Sequence, residues 1–220
     1  MPVSISQYWA QLDEMGRAVA FLLIAMSFVS WFTIFAKSWV FWRIRRSAPD
    51  VNRFWDGATM EDAIMTLELV DVERVFVPMV KAGVSAVNSE RRVTTMMHKA
   101  DTADIMTRVL RQEMNKITVR LESGLTLLAS IGATAPFIGL LGTVWGIYHA
   151  LTAVSGSAAI QIDLVAGPVG EALVMTGLGL MVAIPAVLAY NAFNRINRIT
   201  LAELDGFAYD LHTHLSKSAS

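Results

Sequence analysis

Three long stretches of this chain carry almost no charge, and that restricts its fold more than any other feature. Ala18 to Ala36 is 19 residues without Asp, Glu, Lys or Arg, and Ser123 to Ile162 is 40. Leu164 to Asn194 is 31, with Glu171 the sole exception. About 20 apolar residues are enough to cross the hydrocarbon of a bilayer as a helix. The 40-residue stretch is too long for one helix and ends in small and polar residues (AVSGSAAIQ), so it holds one span and an exposed turn. Three transmembrane helices follow. Charged residues make up 17% of the chain, against about 25% in soluble domains.

The net charge of −1 conceals an asymmetry: 14 of the 18 Lys and Arg residues lie between Lys37 and Arg120. Arg43, Arg45 and Arg46 follow the first stretch, Arg108, Arg111, Lys116 and Arg120 precede the second, and Arg195 and Arg198 follow the third. Basic residues beside spans stay on the cytoplasmic side, which places the segment between spans one and two, and the C-terminal tail, inside. The expected layout is an outward tail at 1–16, spans at 17–42, 123–150 and 165–193, an inward helical segment at 43–122, an outward hairpin at 151–164 and an inward C-terminal helix at 194–220. A cleavable signal peptide is not expected, because Asp13 and Glu14 precede the first apolar run where a basic region would stand. The chain has no cysteine, so disulfides and thiolate metal sites are excluded.

Between the spans, apolar residues recur at helical spacing. Met60, Ile64 and Leu67 form one stripe, and Leu110, Met114, Ile117, Leu121, Leu125 and Leu128 form a longer one that crosses the membrane boundary. The second implies one continuous helix, part inward extension and part second span. Ile196, Thr200, Leu204, Phe207, Leu211 and Leu215 extend the third span in the same way. Both stripes are the ordinary signature of bundle core. SAPD, at Ser47 to Asp50, reads as a break after the first helix. Trp39 and Trp42 stand where an aromatic belt forms, and an interfacial turn is expected around Tyr8 and Trp9. The expected fold is an all-α integral membrane protein with long cytoplasmic helical extensions of the second and third spans.

Glu171 is the candidate functional acid. A carboxylate at the centre of a span costs roughly 2.5–3.5 kcal/mol on insertion scales, and such residues usually face a bundle interior or a water-filled cavity where ions or protons move. The plainer alternative is an acid that reaches the headgroups or only pairs with another helix. The second span carries GLLGTVWGIYHAL at 139–151, with Gly132, Gly139 and Gly146 seven apart and Ala135, Gly142 and Thr143 near the same face. Small residues at this spacing let helix backbones approach closely. Pro136 and Pro185 lie inside spans and each removes a backbone donor, bending the helix. Pro168 suits the start of the third span. Thr143 and Thr176 are hydroxyls placed either for a bond to their own helix or for a polar path. Five residues separate Glu171 from Thr176, about 140° on a helix, so the two do not share one stripe.

Other polar groups carry less. His149 reads as interfacial, His212 and His214 as solvated tail residues rather than metal ligands, and Trp145 and Tyr148 as packing or belt residues. The 14 basic residues from Lys37 to Glu122 meet 12 acids, which argues against nucleic-acid binding. No cofactor is indicated.

On GLLGTVWGI (139–147), the carboxylate in GEAL (170–173) and GLGLMVAIPAVLAYN (177–191), the hairpin resembles the ExbB/TolQ/MotA family of proton-channel energy transducers. The motif match covers Gly132 to Asn191, and the three-span order matches across the whole chain. The ExbB-like branch is the nearest match and the TolQ-like branch the second, with the four-span MotA type more distant. The resemblance implies a homo-oligomer, a pentamer, in the bacterial inner membrane, whose third spans line a pore. It also implies an ExbD-like single-span partner with an essential aspartate, and a TonB-like protein driven by the proton motive force for outer-membrane uptake of iron-siderophore or cobalamin-type ligands. The TolQ-like alternative serves Tol-Pal envelope maintenance and cell division. By the same resemblance Glu171 takes the place of the pore glutamate, and Thr143 and Thr176 those of the two pore threonines. Leu141 stands where the family commonly has Phe, AGPVGEAL replaces APGIAEAL, and VMT replaces an alanine-rich stretch after the glutamate.

Two other classes compete. An intramembrane hydrolase needs a nucleophile with a base, and Ser27, Ser30 and Ser130 have no His or Asp at a matching depth, so an enzyme is not expected. A scaffold that only stabilises its partners differs from a channel in carrying no proton flux.

Overall fold

Charge-free sequence becomes long helix in the computed structural model, which describes residues 13–92, 102–154 and 162–219. Among these residues there is no strand. Helix α1 is Glu14–Val51, followed by a 3-10 turn at Asn52–Asp56. Then come α2 (Met60–Val70), α3 (Val77–Arg92), α4 (Thr102–Glu122), α5 (Leu125–Val154) and α6 (Ile162–Ala219, 58 residues). Three helical runs are long and apolar enough to span a bilayer, with mean hydropathy of 2.2, 1.8 and 2.2 in their best windows.

The chain divides into two units, Met1–Phe35 with Gly124–Ala192, and Ala36–Ser123 with Phe193–Ser220. The divisions fall at the edges of the charge-free stretches. In the first unit, the beginning of α1 is capped by Asp13, whose Oδ1 accepts from Gly16 N at 2.7 Å; an acid here also meets the positive end of the helix dipole. Leu23, Leu128, Ala135, Met175 and Ala186 are buried there, whereas Phe28, Phe137, Met181 and Leu188 are exposed. So much uncovered apolar surface suits a hydrocarbon surround and not water.

The second unit has its own core. Phe54, Trp55 and Phe76 converge on Phe207 with ring centroids 5.3–5.5 Å apart, and Phe41 stacks on Phe193 at 5.3 Å. Helix α3 packs against α4: a Cβ at Gly83 would stand 3.6 Å from Leu110 Cδ2 of α4, and 3.1 Å from Leu215 Cδ1 of α6. Thr59 caps α2, its hydroxyl accepting from Asp62 N at 3.2 Å. Asp71 is buried and accepts from Val75 N, Phe76 N and Val77 N at 2.8, 2.7 and 2.8 Å, so one carboxylate satisfies the open donors that begin α3. The stripe residues Leu110, Ile117, Leu121, Leu204, Leu211 and Leu215 are buried as their spacing required.

Three local expectations are corrected. The stripe through residues 110–128 runs on two helices, because Gly124 takes φ 80° between α4 and α5. That left-handed conformation suits glycine and ends a helix. SAPD does not break the first helix, which continues to Val51. Ser47 Oγ donates to the Arg43 and Ile44 carbonyls at 2.9 and 3.1 Å, and Pro49, which removes one backbone donor, has only two residues of helix after it. Pro168 is inside α6 and not at its start, since the helix begins at Ile162. The expected turn at Tyr8 and Trp9 and residues 155–161 of the expected 151–164 hairpin lie outside the described residues, and the flanking 151–154 and 162–164 are helical.

Candidate functional site

Helices α5 and α6 meet through their smallest residues in antiparallel register. A Cβ built at Gly139 would stand 2.7 Å from the Met175 carbonyl oxygen and 3.1 Å from the Gly179 and Thr176 Cα atoms. At Gly179 it would stand 2.6 Å from the Ala135 carbonyl oxygen, and at Gly146 2.8 Å from Ala172 Cβ. Gly132 abuts Val187, and Gly142 faces both Met175 and Val19 of α1, a Cβ there coming within 3.0 and 3.1 Å. Backbone therefore lies against backbone at Gly139, leaving no room for a side chain. The glycines read from sequence as a packing face form that face. Pro136 and Pro185 both lie inside these helices.

The same contact brings the two threonines together. Thr176 Oγ1 donates to Thr143 Oγ1 at 3.4 Å, and Thr143 Oγ1 donates to the Leu140 carbonyl at 2.7 Å. Thr143 is buried. Thr143 thus bonds its own helix and also meets Thr176 across the contact between the two helices.

Glu171 is half-buried. It stands five residues before Thr176, about 7.5 Å along the axis and about 140° around it. The covered face of α6 holds Ala172, Met175, Val182, Ala183 and Ala186, so Glu171 and Thr176 flank that face from opposite margins. Beside Glu171 the helix is open. A Cβ at Gly167, Gly170 or Gly177 would meet nothing within 4 Å, and Val174 and Met181 are exposed. The acid thus borders an uncovered face of small and apolar residues within a stretch that has no other charge.

Sequence reasoning missed a tie at the start of this unit: Trp145 Nε1 donates to Asp13 Oδ2. The two residues lie 132 positions apart. An acid just before one apolar run and an indole donor in another was the available signal, but periodicity says nothing of which helices are neighbours. Ser130 donates to the Thr126 carbonyl at 2.9 Å, so its hydroxyl serves its own helix. Among the described residues no group of three His, Asp or Glu is arranged to hold a metal ion.

Apolar helices in antiparallel contact, one with a single acid within its apolar stretch, define a multi-pass membrane protein. Residues 73–205 match the family model of the MotA/TolQ/ExbB proton channel family, and the chain belongs to that family. It is 42% identical over 199 residues to the biopolymer transport protein ExbB of Xanthomonas campestris pv. campestris, covering 88% of this chain and 79% of that protein. It is 41% identical over 209 residues to ExbB of Neisseria meningitidis, covering 92% and 93%. The Tol-Pal system protein TolQ of Haemophilus influenzae is 33% identical over 190 residues, covering 83% and 81%.

Proposed function

We propose that the chain is an ExbB-like proton-channel subunit of the bacterial inner membrane, and that Glu171 carries the proton step. The carrying observation is the position of Glu171, the only charged residue between Leu164 and Asn194, on the margin of an uncovered helix face lined by Gly170, Val174 and Gly177. In this reading, copies of the chain assemble as a pentamer with the open faces of α6 around a central pore. An ExbD-like single span occupies the pore, and its aspartate exchanges protons with Glu171. The Thr176–Thr143 pair supplies hydrogen-bonding groups beside the path. In this reading the charged second unit faces the cytoplasm, which the distribution of Lys and Arg supports, and the short outward segments face the periplasm.

One elementary charge moving through about 100 mV releases about 2.3 kcal/mol. That energy biases a rotation or shear of packed helices only if the two protonation states prefer different helix contacts. The tight α5–α6 contact is suited to move as a unit, because glycine-to-backbone packing leaves little freedom within it. The motion acts on a TonB-like protein and drives outer-membrane uptake of iron-siderophore or cobalamin-type ligands. A TolQ-like role in envelope maintenance is the second reading, favoured by the 33% identity to TolQ, but it is the weaker of the two against 41–42% to ExbB.

The test is complementation in cells lacking the endogenous subunit. Glu171→Asp is expected to retain part of the proton-driven uptake of a ferric siderophore and Glu171→Ala to lose it, with the protein present in the membrane at equal amounts. Uptake at the wild-type level with Glu171→Ala overturns the reading. Restoration of envelope integrity without siderophore uptake favours the TolQ-like role.

A further inference from the structure

The turn between α2 and α3, residues 71–76, is pinned to the helices that lead into the membrane. Arg120 Nη2 donates to the carbonyls of Glu73 and Arg74 at 2.9 and 2.8 Å. Arg120 is five residues, about 7.5 Å of helix rise, from Leu125, the first residue of α5. On the other side Arg43 Nε pairs with Glu73 Oε1 at 3.1 Å. Arg43 adjoins Trp42, which with Trp39 is more than half exposed, and such exposed tryptophans beside a span mark the headgroup level. Lys37, the first charge after the apolar run of α1, donates to the Leu121 carbonyl at 3.0 Å and to Ser123 Oγ at 3.2 Å. Lys37 and Ser123 thus mark one edge of the hydrocarbon, and the turn hangs from residues within a few ångströms to about ten ångströms of it. The headgroup layer is about 5–7.5 Å deep on each side, so the turn stands within it or at its outer edge.

The exposed surface of this turn has the wrong chemistry for water alone. Leu69 is 80% exposed, Val72 56% and Met65 63%. They border a groove of about 680 Å³ that Arg74 and Lys81 also line. Arg74 takes φ 51°, a left-handed conformation that a residue with a Cβ rarely adopts. It is held there by Arg120 on its carbonyl and by the Asp71 carboxylate gripping the next three amides.

We propose that this turn is an interfacial anchor, with Val72 and Leu69 dipping among phospholipid headgroups and Arg74 and Lys81 meeting their phosphates. Lys81 also pairs with Glu68, so it serves as a bridge between the groove wall and the lipid. The occupant follows from continuity: the turn that walls the groove is tied through Glu73 to Arg43, which follows the exposed Trp42 in sequence. An anchor here fixes the depth and tilt of the second unit independently of the spans. It concerns no residue of the proton step, so loss of function in Glu171 variants leaves it intact.

The chain has no cysteine, so a nitroxide can be attached singly at Val72→Cys, Leu69→Cys and, as control, Tyr209→Cys, which is 73% exposed on α6. The full-length protein, assembled with its co-expressed partners, is placed in phospholipid nanodiscs. Collisions with oxygen, which partitions into lipid, are compared with collisions with a water-soluble nickel chelate. The labels at 72 and 69 are expected to show a severalfold higher oxygen-to-nickel ratio than the label at 209. A ratio equal to that at 209 at both positions overturns the proposal. Exclusion of both reagents also overturns it, because the groove is then covered by protein, such as a second copy of the chain.

Discussion

Thr176 Oγ1 and Thr143 Oγ1 stand 3.4 Å apart across the α5–α6 contact, a long hydroxyl-to-hydroxyl hydrogen bond. Thr176 donates to Thr143 at 3.4 Å while Thr143 sends its own proton to the Leu140 carbonyl at 2.7 Å. The Thr176 oxygen keeps its acceptor capacity for a group outside the pair. A long bond between helices in a membrane is weak, and interhelical hydrogen bonds in such proteins average about 0.6 kcal/mol in double-mutant cycles. The cycle of Thr143→Val, Thr176→Val and the double variant is therefore expected to give a coupling of about 0.6 kcal/mol, read by unfolding in mixed micelles. A coupling indistinguishable from zero means the hydroxyls do not interact.

The glycines of α5 and α6 divide sharply. At Gly139 a Cβ would stand 2.7 Å from a carbonyl oxygen, so Gly139→Ala must push the helices apart. Overpacking of this kind costs about 1–3 kcal/mol. At Gly177 nothing lies within 4 Å, and an alanine in a helix is favoured over glycine by up to about 1 kcal/mol. Thermal unfolding of the isolated subunit in detergent is expected to show Gly139→Ala destabilised and Gly177→Ala neutral or stabilised. Equal losses at both sites contradict the packing register.

Asp71 holds the start of α3 with three amide bonds from a buried carboxylate. Removing the acceptor strands those donors. Asp71→Ala is expected to destabilise the second unit by about 2–3 kcal/mol, the scale of hydrogen bonds to a charged group. Hydrogen exchange at Val75, Phe76 and Val77 locates the effect. Unchanged protection there rules out the capping role.

Glu68 offers a pH signature outside the membrane. The ammonium of Lys81, hydrogen-bonded to it, holds its carboxyl below the ordinary value of 4.5. A depressed folded value means that the pair contributes its stability above about 4.5 and loses it as the pH falls through the folded value. The stability difference between wild type and Glu68→Gln is expected to be small, present at neutral pH, and to vanish under acid conditions. A difference that grows on acidification has the wrong sign.

The spans were legible because charge is so costly in hydrocarbon that its absence over 19 to 40 residues leaves few alternatives. Buried stripes were legible for a similar reason: Leu204, Leu211 and Leu215 recur on one helical face and are all buried. The break at Gly124 was hidden because the stripe keeps its period across a two-residue turn, although a glycine after a helix is itself a stop signal. Pairing between distant helices was less accessible. The small-residue face of α5 announced a close contact, but that Gly139 meets Met175 and Gly179, or that Trp145 meets Asp13, depends on register between segments that no local pattern encodes. Glu171 stood out from the start as the lone charge in its stretch, and its place on the margin of an open face needed the packing of α5 to become visible.

Proton flux through the reconstituted complex tests the central claim most directly. Liposomes containing the subunit with its single-span partner, under an imposed pH gradient and membrane potential, are compared for wild type, Glu171→Asp and Glu171→Ala, with assembly verified in each. The account predicts flux in the wild type, reduced flux in the Glu171→Asp complex and none above empty liposomes in the Glu171→Ala complex. Undiminished flux in the Glu171→Ala complex contradicts it.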